Sequence, residues 1–198
     1  MKGLLLKDFY VLSKQLKLFL VMMVVFSIIP GGYLSAFAIM YASMMPITTI
    51  GYDERSKWKK MASMMPYGKE ELVMSKYIVG YVVTFGMTII AMIARTVYGI
   101  IEGTDLIEGI GTLYIVFLLA AFVEALNLPI ILKLGVEKGR MLFVLITVVF
   151  TVGVTGLIAK ANLDISIGLF LIIATVVIAI ANLISIKISI RVYNNEVN

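Results

Sequence analysis

The sequence predicts an all-α integral membrane protein of six transmembrane helices, preceded by an amphipathic helix at the membrane interface. Of the 198 residues 61% are hydrophobic and only 15% charged. Mean hydropathy is +1.04, and the charges cluster between long apolar runs. A soluble domain of this length still needs a charged shell, so the apolar excess has to face lipid.

A helix needs about 20 apolar residues to cross the hydrocarbon core. Between Lys17 and Asp53 lie 35 residues without a formal charge, which as one helix would be about 52 Å long. Pro30-Gly31-Gly32 supplies a break. The run therefore reads as two short spans, 16–29 and 33–50, with Lys14 and Lys17 snorkelling to lengthen the first. Four more spans follow at 77–101, 110–132, 141–159 and 165–186, and the whole chain reads as one transmembrane domain, residues 1–198. No small-residue cleavage pattern follows Ile29, which argues against a cleaved signal peptide.

The loops orient the spans. With the N-terminus in the cytoplasm, Lys2, Lys7, Lys14 and Lys17 lie inside, as do Arg55, Lys57, Lys59, Lys60, Lys69 and Lys76. Lys133, Lys138, Arg140, Lys187 and Arg191 join them. Fifteen of the 17 basic residues are then internal, whereas the outer loop with Glu102, Asp105 and Glu108 has no basic residue. Both termini are expected to be cytoplasmic. The absence of Cys and His removes thiolate nucleophiles, disulfides and imidazole acid–base chemistry. No metal site is expected. The net charge of +5 follows the loops, so no nucleic acid is expected as a partner.

Before the first span, Leu5, Phe9, Leu12 and Leu16 share one face of a helical wheel, with Lys7 and Lys14 opposite. This pattern predicts an interfacial helix over 1–15, its apolar face in the membrane and its lysines toward lipid phosphates.

The longest inner loop, 51–76, carries the densest signals. Asp53 and Glu54 precede Lys57, Lys59 and Lys60, a charge order that suits a short helix. Pro66 and Gly68 end that element, and Glu70 and Glu71 then open the helix of the third span. Trp58, the single Trp, sits among these charges. Its chemistry fits a membrane anchor and equally a knob that docks into a soluble partner.

Two inner loops and the N-terminus together resemble the small bacterial ABC-2-type permeases, the membrane subunits of type V ABC exporters. In the first loop the resemblance rests on Asp53, Glu54, Ser56, Trp58, Pro66, Glu71, Leu72, Val73, Lys76 and Tyr77. In the second it rests on Pro129, Lys133, Gly135, Glu137, Lys138 and Arg140. The opening Leu4-Leu5-Leu6-Lys7-Asp8-Phe9-Tyr10 is also similar. In size and layout the chain resembles permeases that export phenol-soluble modulins, which are short amphipathic helical toxins. Permeases for antimicrobial peptides and members with an immunity role look similar too.

The resemblance implies that two copies of this chain form a membrane path above two ATP-binding cassette subunits. A coupling helix around Asp53–Met61 would seat in a groove of the cassette. The residues implied in that contact are Asp53, Glu54, Arg55, Ser56, Trp58, Lys59 and Met61, with Glu137 and Lys138 from the second loop. This chain is then not itself an enzyme. Gly68-Lys69 lacks the flanking residues of a phosphate-binding loop, so ATP and Mg would be bound by the partner, and no cofactor is expected here. The expected substrate is an amphipathic or hydrophobic peptide. A secondary transporter, or a membrane immunity or scaffold protein without a cassette partner, is the alternative. The former would call for midplane carboxylates and paired broken helices.

Two ionisable residues fall within spans. Charges there are costly and face protein, water or the interface. Arg95 reads as snorkelling outward or pairing with Glu102. Glu124 lies deeper, one turn from Asn127, so both can share a face. A structural hydrogen bond and a place along a translocation path both fit Glu124, and Asn127 and Arg95 are the other candidates for that path. At their expected depths Arg95 and Glu124 are too far apart to pair. Asn182 in the last span reads as a polar link between helices.

Overall fold

A computed structural model describes residues 1–15, 17–29, 33–62, 64–103, 106–160 and 167–196; the side chains of 15, 59, 106, 108, 154–170 and 194–196 are not described. The expected break at Pro30-Gly31-Gly32 and the outer-loop Asp105 lie outside the described residues, as does Leu16. The chain is all helical there: α1 Lys2–Gln15, α2 Lys17–Ile28, α3 Tyr33–Ala42, α4 Met45–Arg55, α5 Trp58–Ala62, α6 Lys69–Glu102, α7 Leu106–Leu134, α8 Val136–Lys160 and α9 Ile167–Glu196.

Four stretches among the described residues are long and apolar enough to cross a membrane. They are Tyr33–Arg55, Lys69–Glu102, Gly109–Leu134 and Leu171–Tyr193. The pair Lys2–Lys14 and Lys17–Ile28 passes the same test only jointly and is bent by 78°, which raises the count to five at most. The expected six spans are not confirmed among the described residues. The first expected span is reduced to α2, whose 12 residues extend about 18 Å, short of the roughly 30 Å core. The fifth falls within α8, whose first turns carry Glu137, Lys138 and Arg140, and whose side chains beyond Gly153 are not described.

Other elements outrun their expected bounds. The second span continues through a break at Ser43-Met44 to Arg55, with Pro46 in the first turn of α4, where its missing N–H costs nothing. With 34 residues, α6 is about 51 Å long, so some 20 Å protrudes beyond the core. It starts at Lys69 with Glu70 and Glu71 in its first turn and ends on Gly103, whose φ of 67° suits glycine. Gly135, at φ 83°, is the single residue between α7 and α8. The second inner loop is therefore a one-residue turn, which places Glu137 and Lys138 in helix.

At the centre is α7, which packs on α3, α4, α6, α8 and α9. Helices in lipid associate by close packing and hydrogen bonds rather than by apolar attraction, and both devices are present. Gly139 of α8 sits directly on Ile131 of α7. A Cβ at Gly80 of α6 would collide with the Glu124 carboxylate and come within 2.5 Å of Pro46 Cγ. On α9, Ser185 donates to the Ala125 carbonyl of α7. The Tyr77 hydroxyl of α6 bridges Ser185 and Ser189 at 2.6 and 2.7 Å. Tyr81 donates to Asn182, joining α6 to α9.

A ring of four charges joins α1, α4 and α6. Lys76 Nζ lies 2.8 Å from Asp8 and 2.5 Å from Asp53, while Lys7 Nζ lies 2.6 Å from Asp53 and 3.0 Å from Asp8. Each cation touches both anions, so the ring is neutral. Asp8 is 1% exposed. This arrangement revises the expected orientation of α1: its inward face is Leu4, Asp8 and Leu12, with Leu5 half-buried and Phe9 exposed. Lys7 points at protein rather than lipid phosphate, because a buried Asp8 requires a counter-charge. Lys14 remains exposed.

Asp8→Asn leaves two lysines for one carboxylate, and an unpaired buried charge costs about 3–5 kcal/mol. Its melting temperature in detergent should fall by roughly 10 °C. Adding Lys7→Met restores neutrality and should recover part of the loss; a single variant that melts at the wild-type temperature would show that the ring carries no stability. Gly80→Ala should cost about 1–3 kcal/mol by overpacking, since its Cβ has nowhere to go between Glu124 and Pro46. Thermal unfolding of the purified variant measures this, and unchanged stability would mean that α6 and α7 are less closely packed.

Candidate functional site

The expected Asp53–Met61 helix is two pieces. Asp53, Glu54 and Arg55 form the last turn of α4. Ser56 follows, its N–H donating to the Tyr52 carbonyl, and Lys57 takes a left-handed conformation at φ 53°, uncommon for a residue with a side chain. That reversal ends α4 and launches the five-residue α5. The acidic pair therefore sits at the negative end of a helix dipole, the opposite of the expected placement. Lys7 and Lys76 offset this for Asp53, while Glu54 lies in solvent.

Trp58 opens α5 but is half-buried. The Lys7 ammonium lies 4.4 Å from its ring centroid, a cation–π contact, so the same lysine that closes the charge ring also holds the indole. Ala62 is buried on the inner side of α5, whereas Met61 is 56% exposed. Beyond it Met64 and Met65 are 77% and 41% exposed. Arg55, Ser56 and Lys57 are exposed beside them; the side chain of Lys59 is outside the described residues.

The second turn joins this face. A Cβ on Gly135 would meet the Glu54 carboxylate at 3.9 Å, and one on Gly51 would meet Val136 at 3.3 Å. Glu137 and Lys138 are both exposed in the first turn of α8. All the described residues implied in cassette contact thus lie around one end of the helices. Behind α5 is a cavity of about 460 Å³ with apolar walls from Leu4, Ile50, Val73 and Ile131 and a rim that includes Asp53, Lys57 and Lys76.

The residues expected along a path are dispersed. Glu124 is 1% exposed on α7, and neither carboxylate oxygen has a hydrogen-bond partner among the described residues. Asn127 is equally buried; its amide donates to the Val123 carbonyl at 3.0 Å, while its oxygen has no described partner. Arg95 is half-buried and lies across Gly109. Gly109 is 15 residues from Glu124 on α7, about 22 Å along the axis, so the two charges do not meet. The buried Thr84 hydroxyl of α6 faces the Glu124 carboxylate.

Sequence reasoning singled out neither Asp8 nor Lys76 as site residues. For Asp8 a signal was present, since an acid beside the apolar face of the N-terminal helix needs a partner; Lys76, at the end of a basic loop, carried none. Met64 and Met65 carried a weaker signal, as exposed methionines become informative only when clustered.

The family model for ABC-2 family transporter proteins matches residues 3–194, a stretch that takes in the charge ring, both inner turns and α9. No curated protein and no solved structure matches the chain. The chain belongs to the ABC-2 family of transporter proteins.

Proposed function

We propose that this chain is the membrane half of an ATP-driven exporter of amphipathic or hydrophobic peptides, such as toxins of the phenol-soluble modulin kind or antimicrobial peptides. The family implies an ABC ATPase as partner. In this reading two copies of the chain assemble with two cassettes that bind ATP and Mg. Both termini face the cytoplasm of a bacterial cell, with the path through its plasma membrane. The ABC-2 match favours this over a secondary transporter, or an immunity or scaffold protein without a cassette partner.

One observation carries the coupling role: a short exposed element, rimmed by charge, is clamped to the spans. Met61, Met64 and Met65 form an adaptable apolar surface of the kind that suits a docking groove. Force applied to α5 reaches α4 through Lys57 and α6 through the Pro66–Gly68 turn. Through Lys7, which holds both Trp58 and Asp53, it also reaches α1. The cavity behind α5 gives the element room to move inward when the cassettes close.

Glu124 and Asn127 are assigned to the path. Buried ionisable groups in a span mark function by their cost, and the polar neighbour this carboxylate has, the neutral Thr84 hydroxyl of α6, supplies no counter-charge. In this conformation it packs against Gly80 and Pro46. Separation of α6 and α4 from α7 would uncover it to a lysine-bearing peptide.

Two measurements test this reading. Replacing Met61, Met64 and Met65 by Glu should cut the ATPase that co-purifies with the tagged chain by about tenfold, equivalent to about 1.4 kcal/mol, with melting temperature unchanged. Wild-type recovery would exclude α5 as the docking element, and no ATPase with the wild-type chain would exclude the exporter. Glu124→Gln should leave melting temperature equal or raised, because the desolvation cost falls, while peptide-stimulated hydrolysis drops severalfold. Lost stability with full activity per folded molecule would make Glu124 structural.

A further inference from the structure

A second cavity, of about 290 Å³, lies on the far side of α4 from the charge ring. Two arginines line it: Arg55, the last residue of α4, and Arg140, in the second turn of α8. Its aromatic residues are Phe19, Tyr41 and Tyr52. None of its lining residues is acidic. Among the described residues no carboxylate pairs with either guanidinium, and Arg140 Nε is a buried donor with no partner. Asp53 is committed to Lys7 and Lys76, and Glu54, next to Arg55 in sequence, lines the other cavity and faces Gly135.

Two unpaired cations beside a polar hollow form an unfinished site. Arg140 is brought there by packing, since a Cβ at Gly51 would stand 3.4 Å from its Nη2. The fork geometry of guanidinium matches phosphate oxygens, and two guanidiniums lining one hollow without an acidic wall residue suit a phosphate.

The position selects among phosphates. Arg55 closes the 23-residue membrane-spanning stretch Tyr33–Arg55, so the arginines stand at the level of lipid headgroups. Deeper along the same wall, Phe19 of α2 stacks on Tyr41 of α3 with centroids 6.4 Å apart. Phe19 is 47% exposed on its outer side, toward the bilayer. Cationic at the membrane surface and aromatic within, the cavity has the polarity profile of a phospholipid.

We propose that Arg55 and Arg140 hold the phosphate of an anionic phospholipid of the inner leaflet, with its glycerol against Tyr52 and its first methylenes along Phe19 and Tyr41. Such a lipid fills the seam between α2, α4 and α8 and binds the first inner turn to the second. It stands beside the proposed coupling face but does not require that assignment, because the contact is with lipid alone.

The test is native mass spectrometry of the full chain released from mixed phosphatidylglycerol and phosphatidylcholine nanodiscs. Wild type should retain phosphatidylglycerol in preference. Arg55→Gln with Arg140→Gln should lower that retention by about tenfold, and Arg55→Gln alone, an exposed position that folding tolerates, by a smaller factor. Lys2→Gln with Lys14→Gln removes equal charge from exposed sites and should change it little. Equal retention of both lipids, full retention by the double arginine variant, or an equal loss in the lysine control would each overturn the proposal. Millimolar inorganic phosphate should not displace the lipid. If phosphate alone displaces it and raises the melting temperature, the site takes a soluble phosphate compound and the lipid assignment fails.

Discussion

Four largely buried charges, Lys7, Asp8, Asp53 and Lys76, fix how one end of this helical bundle is assembled. Burying an ion pair yields little net stability, because desolvation cancels most of the attraction. Its consequence is geometric: once Asp8 is 1% exposed, the surrounding elements have few arrangements that leave no charge alone. The first helix must lie with Asp8 inward, α4 must end where Asp53 reaches Lys76, and α6 must extend far enough below the membrane to present Lys76. The exposed α5 hangs from this ring through Lys7 and Trp58. Neutrality also frees α4 to turn Arg55 to its other side.

In the membrane interior the constraint changes. Lipid is as apolar as leucine, so close approach and polar contacts specify helix pairing. Gly80 and Gly139 let α6 and α8 settle on α7. Tyr77, Tyr81, Ser185, Ser189 and Asn182 then tie α9, whose membrane-spanning stretch is largely exposed, to the same centre. Glu124 stands apart from these contacts. It packs against Gly80 of α6 beside Pro46 of α4, with the neutral Thr84 hydroxyl as its polar neighbour.

The two cavities divide the inner surface by chemistry. Apolar walls and space behind α5 suit an element that has to yield. The unpaired guanidiniums on the other side of α4 suit an anion that holds. A single helix end, Asp53 to Arg55, serves both because neighbouring residues on a helix point about 100° apart.

Composition and hydropathy were enough to identify a helical membrane protein and the segments of most of its spans, since hydropathy is a sum over residues and needs no contacts. The resemblance of the inner loops likewise reached the family. What the sequence could not determine was partnership. The wheel placed Lys7 toward lipid because periodicity cannot see Asp53, 46 residues away; the Asp53–Met61 helix was read as one because the reversal at Lys57 is imposed by packing, not by propensity. Trp58 reads as anchor or knob from its neighbours in sequence, which cannot show that Lys7 lies over its ring. The length of α2 and the 78° bend before it likewise depend on what α1 packs against. Hydrophobicity acts residue by residue and is written in the chain, whereas charge neutralisation and close packing act between distant residues, and only the folded structure says which ones meet.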